Sequence, residues 1–279
     1  MHIRILLNSI ALDPNRWTAE KVPFNRLDEL LEPIANSGFR GVEVWQHHIS
    51  SLDDRAITEL REQAENLGLD FPVLGIYPEL HLGGTDGEDA LAETLRLLDI
   101  AASLGANTVK MFVGTKASSD LTEMEEVNTM ASLEMLAGAA EDRDLLLTGE
   151  THANTLFDSV EAAKMTLAEI EGQELEICFQ PYDSVSTEQA IADYTALSGH
   201  VIHVHLQGRK GGKISLLEEA DVDYERLLET LEINGFAGYL SIEFVKDCVV
   251  DHPEDFDIDR VLANAVADRE FIEKVLEIG

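Results

Sequence analysis

Short runs of apolar and β-branched residues recur along the chain and alternate with amphipathic, acidic segments. The runs cover residues 3–9, 41–45, 71–77, 108–113, 145–150, 175–179, 201–206 and 239–245. Their starts are 26 to 38 residues apart, close to the length of one strand with its crossover helix. Between the runs, apolar residues return every three or four positions, as in residues 91–105, which indicates helices. The pattern therefore predicts eight strand–helix units.

Eight such units are the number that closes a (β/α)8 TIM barrel, and we predict an α/β fold with a single barrel domain over residues 1–279. Several runs are apolar on both faces, as parallel strands covered by helices are. The competing fold is an open doubly wound sheet. It is disfavoured because the first loop, NSIALDPNRW, lacks the glycines that such sheets use to bind phosphate.

The charge of the chain restricts its partners. There are 54 acidic and 20 basic residues, which gives a net charge of −34 at pH 7. Such a surface repels a phosphate backbone, so we expect no nucleic-acid partner. The acidic residues are spread over many segments, which favours a halophilic source where salt screens their repulsion. With two cysteines, no signal peptide and no long apolar stretch, we expect a cytoplasmic protein without a membrane partner. A homo-oligomer is left open.

Residues that could bind a metal or take part in catalysis lie in or directly after four of the strand runs, at the barrel end where active sites form. The fifth run ends in Glu150, Gln180 directly follows the sixth, the seventh carries His203 and His205 on one side, and the eighth contains Glu243. A carboxylate inside an apolar strand must face a cation, a proton donor or water, although a structural ion pair would also satisfy it. Two carboxylates, one imidazole and one amide oxygen would suit Mn²⁺, Co²⁺, Mg²⁺ or Zn²⁺.

Six further side chains could bind substrate at the expected mouth, and most have a simpler explanation. Lys110 could polarise a substrate oxygen or pair with a glutamate, and Trp45 could cover a sugar face or pack in the core. His81 lies in a glycine-flanked loop that could fold over a substrate, or it is a surface histidine. Arg209 suits an anionic or polyhydroxylated substrate, or it lies in a solvated loop. The remaining two are His152 and Asp183, the latter also a possible metal ligand.

The strand ends resemble those of the xylose isomerase-like barrels, which include sugar epimerases, inosose dehydratases, hydroxypyruvate isomerases and type IV endonucleases. The resemblance spans nearly the whole chain and rests on GVEVW, GETHANTL, HVHL and SIEF in that order. It implies that Glu150, His205 and Glu243 bind a divalent metal. This sequence differs from the family pattern at Gln180, where the family usually has aspartate. The difference would make the site one charge less negative.

The activity that the resemblance implies is that of a metal-dependent sugar or keto-polyol isomerase or epimerase. Glu150 and Glu243 would abstract and return a proton through an enediolate. One alternative is an inosose-type dehydratase, and another is a non-catalytic sugar-binding barrel in which Gln180 marks lost metal chemistry. The endonuclease branch is disfavoured because it needs additional histidines, of which the chain has nine in all, and because the net charge opposes DNA.

Overall fold

The computed structural model describes residues 3–170 and 175–278, and within them strands and helices alternate as the pattern predicts. The strands are β1 (Ile3–Asn8), β2 (Gly41–Trp45), β3 (Asp70–Ile76), β4 (Thr108–Met111), β5 (Leu146–Glu150), β6 (Leu175–Phe179), β7 (Val201–Lys210), β8 (Lys213–Ser215) and β9 (Gly238–Phe244). The helices are α1 (Leu27–Asn36), α2 (Asp54–Asn66), α3 (Gly84–Leu104), α4 (Glu123–Glu141), α5 (Val160–Glu169), α6 (Thr187–Leu197), α7 (Tyr224–Ile233) and α8 (Ile258–Val275).

Eight of the strands close into a parallel barrel. Strands β1 to β6 pair in chain order, β6 pairs with β7, β7 pairs with β9, and β9 returns to β1. The prediction of a (β/α)8 barrel is therefore confirmed. Because all barrel strands are parallel, their carboxyl ends meet at one mouth, which is where the candidate side chains were expected.

Polar side chains fix where several helices begin. The side chains of Ser159, Ser186, Asp223 and Asp257 accept hydrogen bonds from backbone N–H groups in the first turns of α5, α6, α7 and α8. These groups would otherwise lack partners, so each cap favours a helix start at that point. Helix α3 begins at Gly84, earlier than the apolar periodicity from residue 91 indicates.

The hairpin after the seventh barrel strand differs from the prediction. The apolar run ends at residue 206, but β7 continues to Lys210 and pairs with the antiparallel strand β8. The turn consists of Gly211 and Gly212, with φ angles of 56° and 78°. Two consecutive positive φ angles are what a two-residue type I′ hairpin requires, and glycine adopts them without strain. The hairpin places Arg209 on an ordered strand instead of in a solvated loop.

The barrel interior contains an unusual layer of buried charge. Glu43, Lys110, Glu150, His203 and His205 are all 0% exposed. Most of the remaining interior is apolar and forms a continuous core with the inner faces of the helices. Ionisable groups at this depth require partners, because an isolated charge costs several kcal/mol to bury. Their contacts therefore define the candidate site.

Candidate metal centre

Three strands bring two carboxylates and one imidazole together at the mouth of the barrel. Glu150 ends β5, His205 lies on β7 and Glu243 lies on β9. The Nδ1 atom of His205 lies 3.5 Å from Glu150 Oε1 and 3.5 Å from Glu243 Oε1. One possible ligand atom from each of the three residues lies within 4.8 Å of the other two. Residues distant in the sequence are thus adjacent in the fold.

The residues present fit a divalent cation. His205 Nδ1 and Glu150 Oε1 are buried and have no hydrogen-bond partner among the described residues. Unsatisfied buried polar atoms are rare in proteins, and a bound ion is one of the ordinary explanations. Nitrogen and carboxylate oxygen are ligands that Mn²⁺, Co²⁺, Mg²⁺ and Zn²⁺ accept to different degrees. The cluster can therefore hold a metal ion.

Gln180 lies directly after β6, next to the same mouth. Its backbone N–H donates to Thr151 Oγ1 at 2.7 Å, and Thr151 Oγ1 donates to the Gln180 carbonyl at 2.8 Å. This pair of bonds ties the ends of β5 and β6 together. The side chain is buried, and its Oε1 lacks a hydrogen-bond partner within residues 3–170 and 175–278. A neutral oxygen is thus available where the family usually has aspartate.

Lys110 forms an ion pair with Glu150, which is the simpler of its two sequence-based interpretations. Its Nζ lies 2.7 Å from Glu150 Oε2, and both side chains are buried. The ammonium also lies 4.5 Å from the centre of the Tyr77 ring and 5.0 Å from that of Phe112. Burial alone would lower the pKa of Lys110, but the Glu150 carboxylate raises it well above its usual range. Lys110 therefore remains protonated and holds one oxygen of Glu150.

Glu43 is the main residue that sequence reasoning left without a role. Its carboxylate lies deep in the barrel, with Oε1 3.0 Å from His205 Nε2 and Oε2 3.2 Å from His203 Nε2. Burial alone would raise the pKa of Glu43, but His205 and His203 lower it well below its usual range. The available signal was the same one that identified Glu243, since GVEVW places a single carboxylate inside a short apolar strand.

A second group of possible ligands lies beside the first and shares His205. It consists of Cys178, His203 and His205, which are all buried. However, the Nε2 atoms of both histidines already contact Glu43. The cluster of Glu150, His205 and Glu243 has more potential metal-ligand atoms without a hydrogen-bond partner in the described ranges, so it is the better candidate for a metal.

The remaining predicted residues lie at different distances from this cluster. Arg209 Nε donates to Gln207 Oε1 at 3.1 Å, and Gln207 Nε2 donates to Glu243 Oε2 at 3.3 Å. Arg209 is thereby connected to the cluster through Gln207, and these two residues line a cavity of about 310 Å³. Asp183 lines the same cavity, but its side chain is 70% exposed and lies 3.9 Å from Arg209 Nε, away from the carboxylates. His152 stacks on Phe112 with ring centres 4.4 Å apart.

Two other predicted substrate contacts lie farther from the cluster in the described structure. Trp45 is 2% exposed and belongs to the hydrophobic core, with His47 and His48 against its ring. Core packing, the alternative interpretation of Trp45, accounts for its position. His81 is partly buried in the loop before α3, and its carbonyl accepts a hydrogen bond from Asn128. Neither residue contacts the carboxylate cluster within the ring contacts and hydrogen bonds described.

Fold and site together define a TIM barrel with a candidate metal centre at the carboxyl ends of its strands. The family model described as the xylose isomerase-like TIM barrel matches residues 31–271, and the chain belongs to this family. The resemblance inferred from the strand ends is confirmed. Among the helices of the described ranges, none is both long and apolar enough to cross a membrane.

Two relatives identified by sequence comparison are named dehydratases. A 3-dehydroshikimate dehydratase from Bacillus anthracis is 24% identical over 156 residues, which are 53% of this chain and 54% of that protein. The chain thus matches about half the length of this relative. An inosose dehydratase from Clostridium perfringens is 22% identical over 89% of this chain and 94% of its own.

Among solved structures, similar folds include sugar epimerases. A D-psicose 3-epimerase from Clostridium cellulolyticum H10, solved with D-tagatose, superposes with a TM-score of 0.77. It is 16% identical and covers 98% of this chain and 99% of its own. At this identity the likeness establishes the shared fold and not a shared substrate.

Proposed function

We propose that this chain is a divalent-metal-dependent enzyme that moves a proton at a carbon next to a carbonyl of a small sugar or keto-polyol, as an isomerase or epimerase does. The observation that carries the proposal is the meeting of Glu150, His205 and Glu243, with possible ligand atoms within 4.8 Å of one another. Two of these atoms, His205 Nδ1 and Glu150 Oε1, are buried without a hydrogen-bond partner in the described ranges.

Glu150, Gln180, His205 and Glu243 would hold the ion, which we expect to be Mn²⁺, Co²⁺, Mg²⁺ or Zn²⁺. When bound, a divalent cation would polarise the substrate oxygens and lower the energy of the negative charge that develops after proton removal. The four side chains come from different strands of one rigid barrel. Their positions are therefore fixed before substrate arrives, which favours catalysis.

The two glutamates differ in what restrains them. Lys110 holds Glu150 Oε2 at 2.7 Å, whereas Glu243 Oε2 accepts a long hydrogen bond of 3.3 Å from Gln207. A carboxylate that is less strongly stabilised as an anion is the better proton acceptor. We therefore assign Glu243 as the base that removes the substrate proton. The Lys110 ammonium, paired with Glu150, would donate a hydrogen bond or a proton to a substrate oxygen.

The surroundings of the cluster suit a small polar substrate. The cavity of about 310 Å³ that Gln207 and Arg209 line is large enough for a monosaccharide-sized molecule. Arg209 would donate to a substrate hydroxyl or anionic group on this side. Phe112 and His152, stacked at 4.4 Å, offer a flat surface near Lys110.

A dehydratase is the second candidate, and the pairing of Lys110 with Glu150 favours it. Elimination of water needs one base for the proton and one acid for the departing hydroxyl, so a carboxylate and an ammonium in one site suit it. Glu243 would take the proton, and the Lys110 side of the site would donate one to the hydroxyl, which leaves as water. Both curated relatives named above are dehydratases, although they are only 24% and 22% identical.

Deuterium exchange separates these possibilities. Protein loaded with Mn²⁺ is incubated in D2O with D-fructose, D-tagatose, 3-dehydroshikimate or an inosose, and the products are followed by NMR. An isomerase or epimerase yields a ketose deuterated next to the carbonyl, whereas a dehydratase yields a product lighter by one water. We expect one of these with the wild type and at least about 100-fold less with Glu243→Gln. Ligand binding without exchange or product would instead support the non-catalytic barrel.

A further inference from the structure

Glu43 occupies a position that controls the histidine of the candidate metal centre. Its two oxygens lie 3.0 Å and 3.1 Å from Nε2 of His205, on the side of the ring away from Glu150 and Glu243. Its Oε2 also lies 3.2 Å from Nε2 of His203. Of these five ionisable side chains, Glu243 is 5% exposed and the other four are fully buried.

The contact determines which ring nitrogen of His205 carries a hydrogen. A carboxylate accepts hydrogen bonds and cannot donate them, so two oxygens this close to Nε2 require an N–H there. In the neutral ring the other nitrogen, Nδ1, then keeps its lone pair. Nδ1 is the atom that lies 3.5 Å from both Glu150 Oε1 and Glu243 Oε1.

We propose that Glu43 is a positioning residue that fixes His205 in the Nε2–H form and aims Nδ1 at the metal. The inference rests on the proposed function, since it assigns the supporting residue of the same site. Carboxylates that hold a ligating imidazole in this way orient the ring and strengthen the nitrogen as a donor. Glu43 does not itself touch the substrate.

The neighbouring structure is built to accommodate this carboxylate. His203 Nε2 lies 2.8 Å from Ser241 Oγ as well as 3.2 Å from Glu43, so both histidines of β7 are anchored. Gly75 on β3 provides the space. A Cβ atom at position 75 would lie 3.2 Å from Glu43 Oε1 and 3.2 Å from Lys110 Cε. Any larger residue there would press on both charged side chains.

Metal titration tests the proposal without relying on turnover. Wild type and Glu43→Gln are freed of metal with EDTA and titrated with Mn²⁺ by calorimetry. We expect Glu43→Gln to bind Mn²⁺ about 10- to 100-fold more weakly, and Glu43→Asp, which keeps the carboxylate, to recover part of the loss. Glu79→Gln removes the same charge from an exposed position and should leave the affinity unchanged.

A spectroscopic measurement on the wild type removes any dependence on how the variants fold. Protein labelled with ¹⁵N-histidine is saturated with Zn²⁺, and His205 is assigned by its loss in His205→Gln. The expected signature is a protonated Nε2 and a zinc-bound Nδ1. A protonated Nδ1 with zinc on Nε2 would overturn the inference, as would full Mn²⁺ affinity in a folded Glu43→Gln. A wild type that binds no metal would overturn the proposed function and this inference together.

Discussion

Lys110 provides a quantitative test of the charge balance in the barrel. Replacing it with methionine keeps most of the side-chain volume but leaves the Glu150 carboxylate without its partner at 2.7 Å. Both side chains are buried, so water cannot replace the lost cation. Removing one member of a buried ion pair costs about 3 to 5 kcal/mol. In metal-free protein, we therefore expect Lys110→Met to lower the free energy of unfolding by about this amount.

Urea unfolding in EDTA at a fixed KCl concentration measures the effect, because urea does not change the ionic strength. Lys164→Met removes an exposed lysine of α5 and serves as the matched control, with an expected change within about 0.5 kcal/mol. The double variant Lys110→Met with Glu150→Gln removes both charges and should lose less than the sum of the single variants, with a coupling of at least about 2 kcal/mol. A loss below about 1 kcal/mol, or additive effects, would show that Glu150 does not depend on the Lys110 charge.

Two further changes probe other parts of the chain. Gln180→Asp adds a charged oxygen beside the candidate ligands, so Mn²⁺ affinity should rise at least about tenfold in calorimetry; an unchanged affinity would mean that residue 180 does not ligate. Burial raises the pKa of Asp268 to about 7, so the folded state binds more protons than the unfolded state between about pH 4 and 7. The contribution of Asp268 to the free energy of unfolding should therefore fall as pH rises through this window. Relative to the wild type, Asp268→Asn should gain about 2 to 4 kcal/mol between about pH 4 and pH 8 in urea unfolding, whereas the same pH dependence in both proteins would contradict this.

The barrel could be predicted from sequence because its signal is repeated. Each strand is a short apolar run, and in each helix apolar residues recur every three or four positions. Because this pattern occurs eight times, misplacing the bounds of one strand or helix does not change the predicted fold. The strand bounds agree closely with the structure, for example 41–45 and 175–179. The exception is the hairpin of Val201–Lys210 and Lys213–Ser215. Its polar residues pair through backbone hydrogen bonds, so the sequence shows no apolar pattern there that would predict a strand.

The site was only partly predictable, for a physical reason. Glu150, His205 and Glu243 stand out because each places a polar group at the end of an apolar strand. The pairing of Lys110 with Glu150 and the role of Glu43 depend on which side chains face each other across the barrel. That arrangement follows from strand tilt and register, which single runs of residues do not contain. Conversely, tryptophan is a residue type that could cover a sugar face, but the Trp45 side chain is 2% exposed and lies in the core.

In the proposed function, three strands of the barrel share one divalent ion. Crystals soaked with Mn²⁺ and measured at a wavelength where manganese scatters anomalously locate the ion directly. We expect one strong peak at the barrel mouth, in contact with His205 Nδ1 and with carboxylate oxygens of Glu150 and Glu243. Peaks confined to the acidic surface, with no density between the side chains of Glu150, His205 and Glu243, would contradict a shared ion.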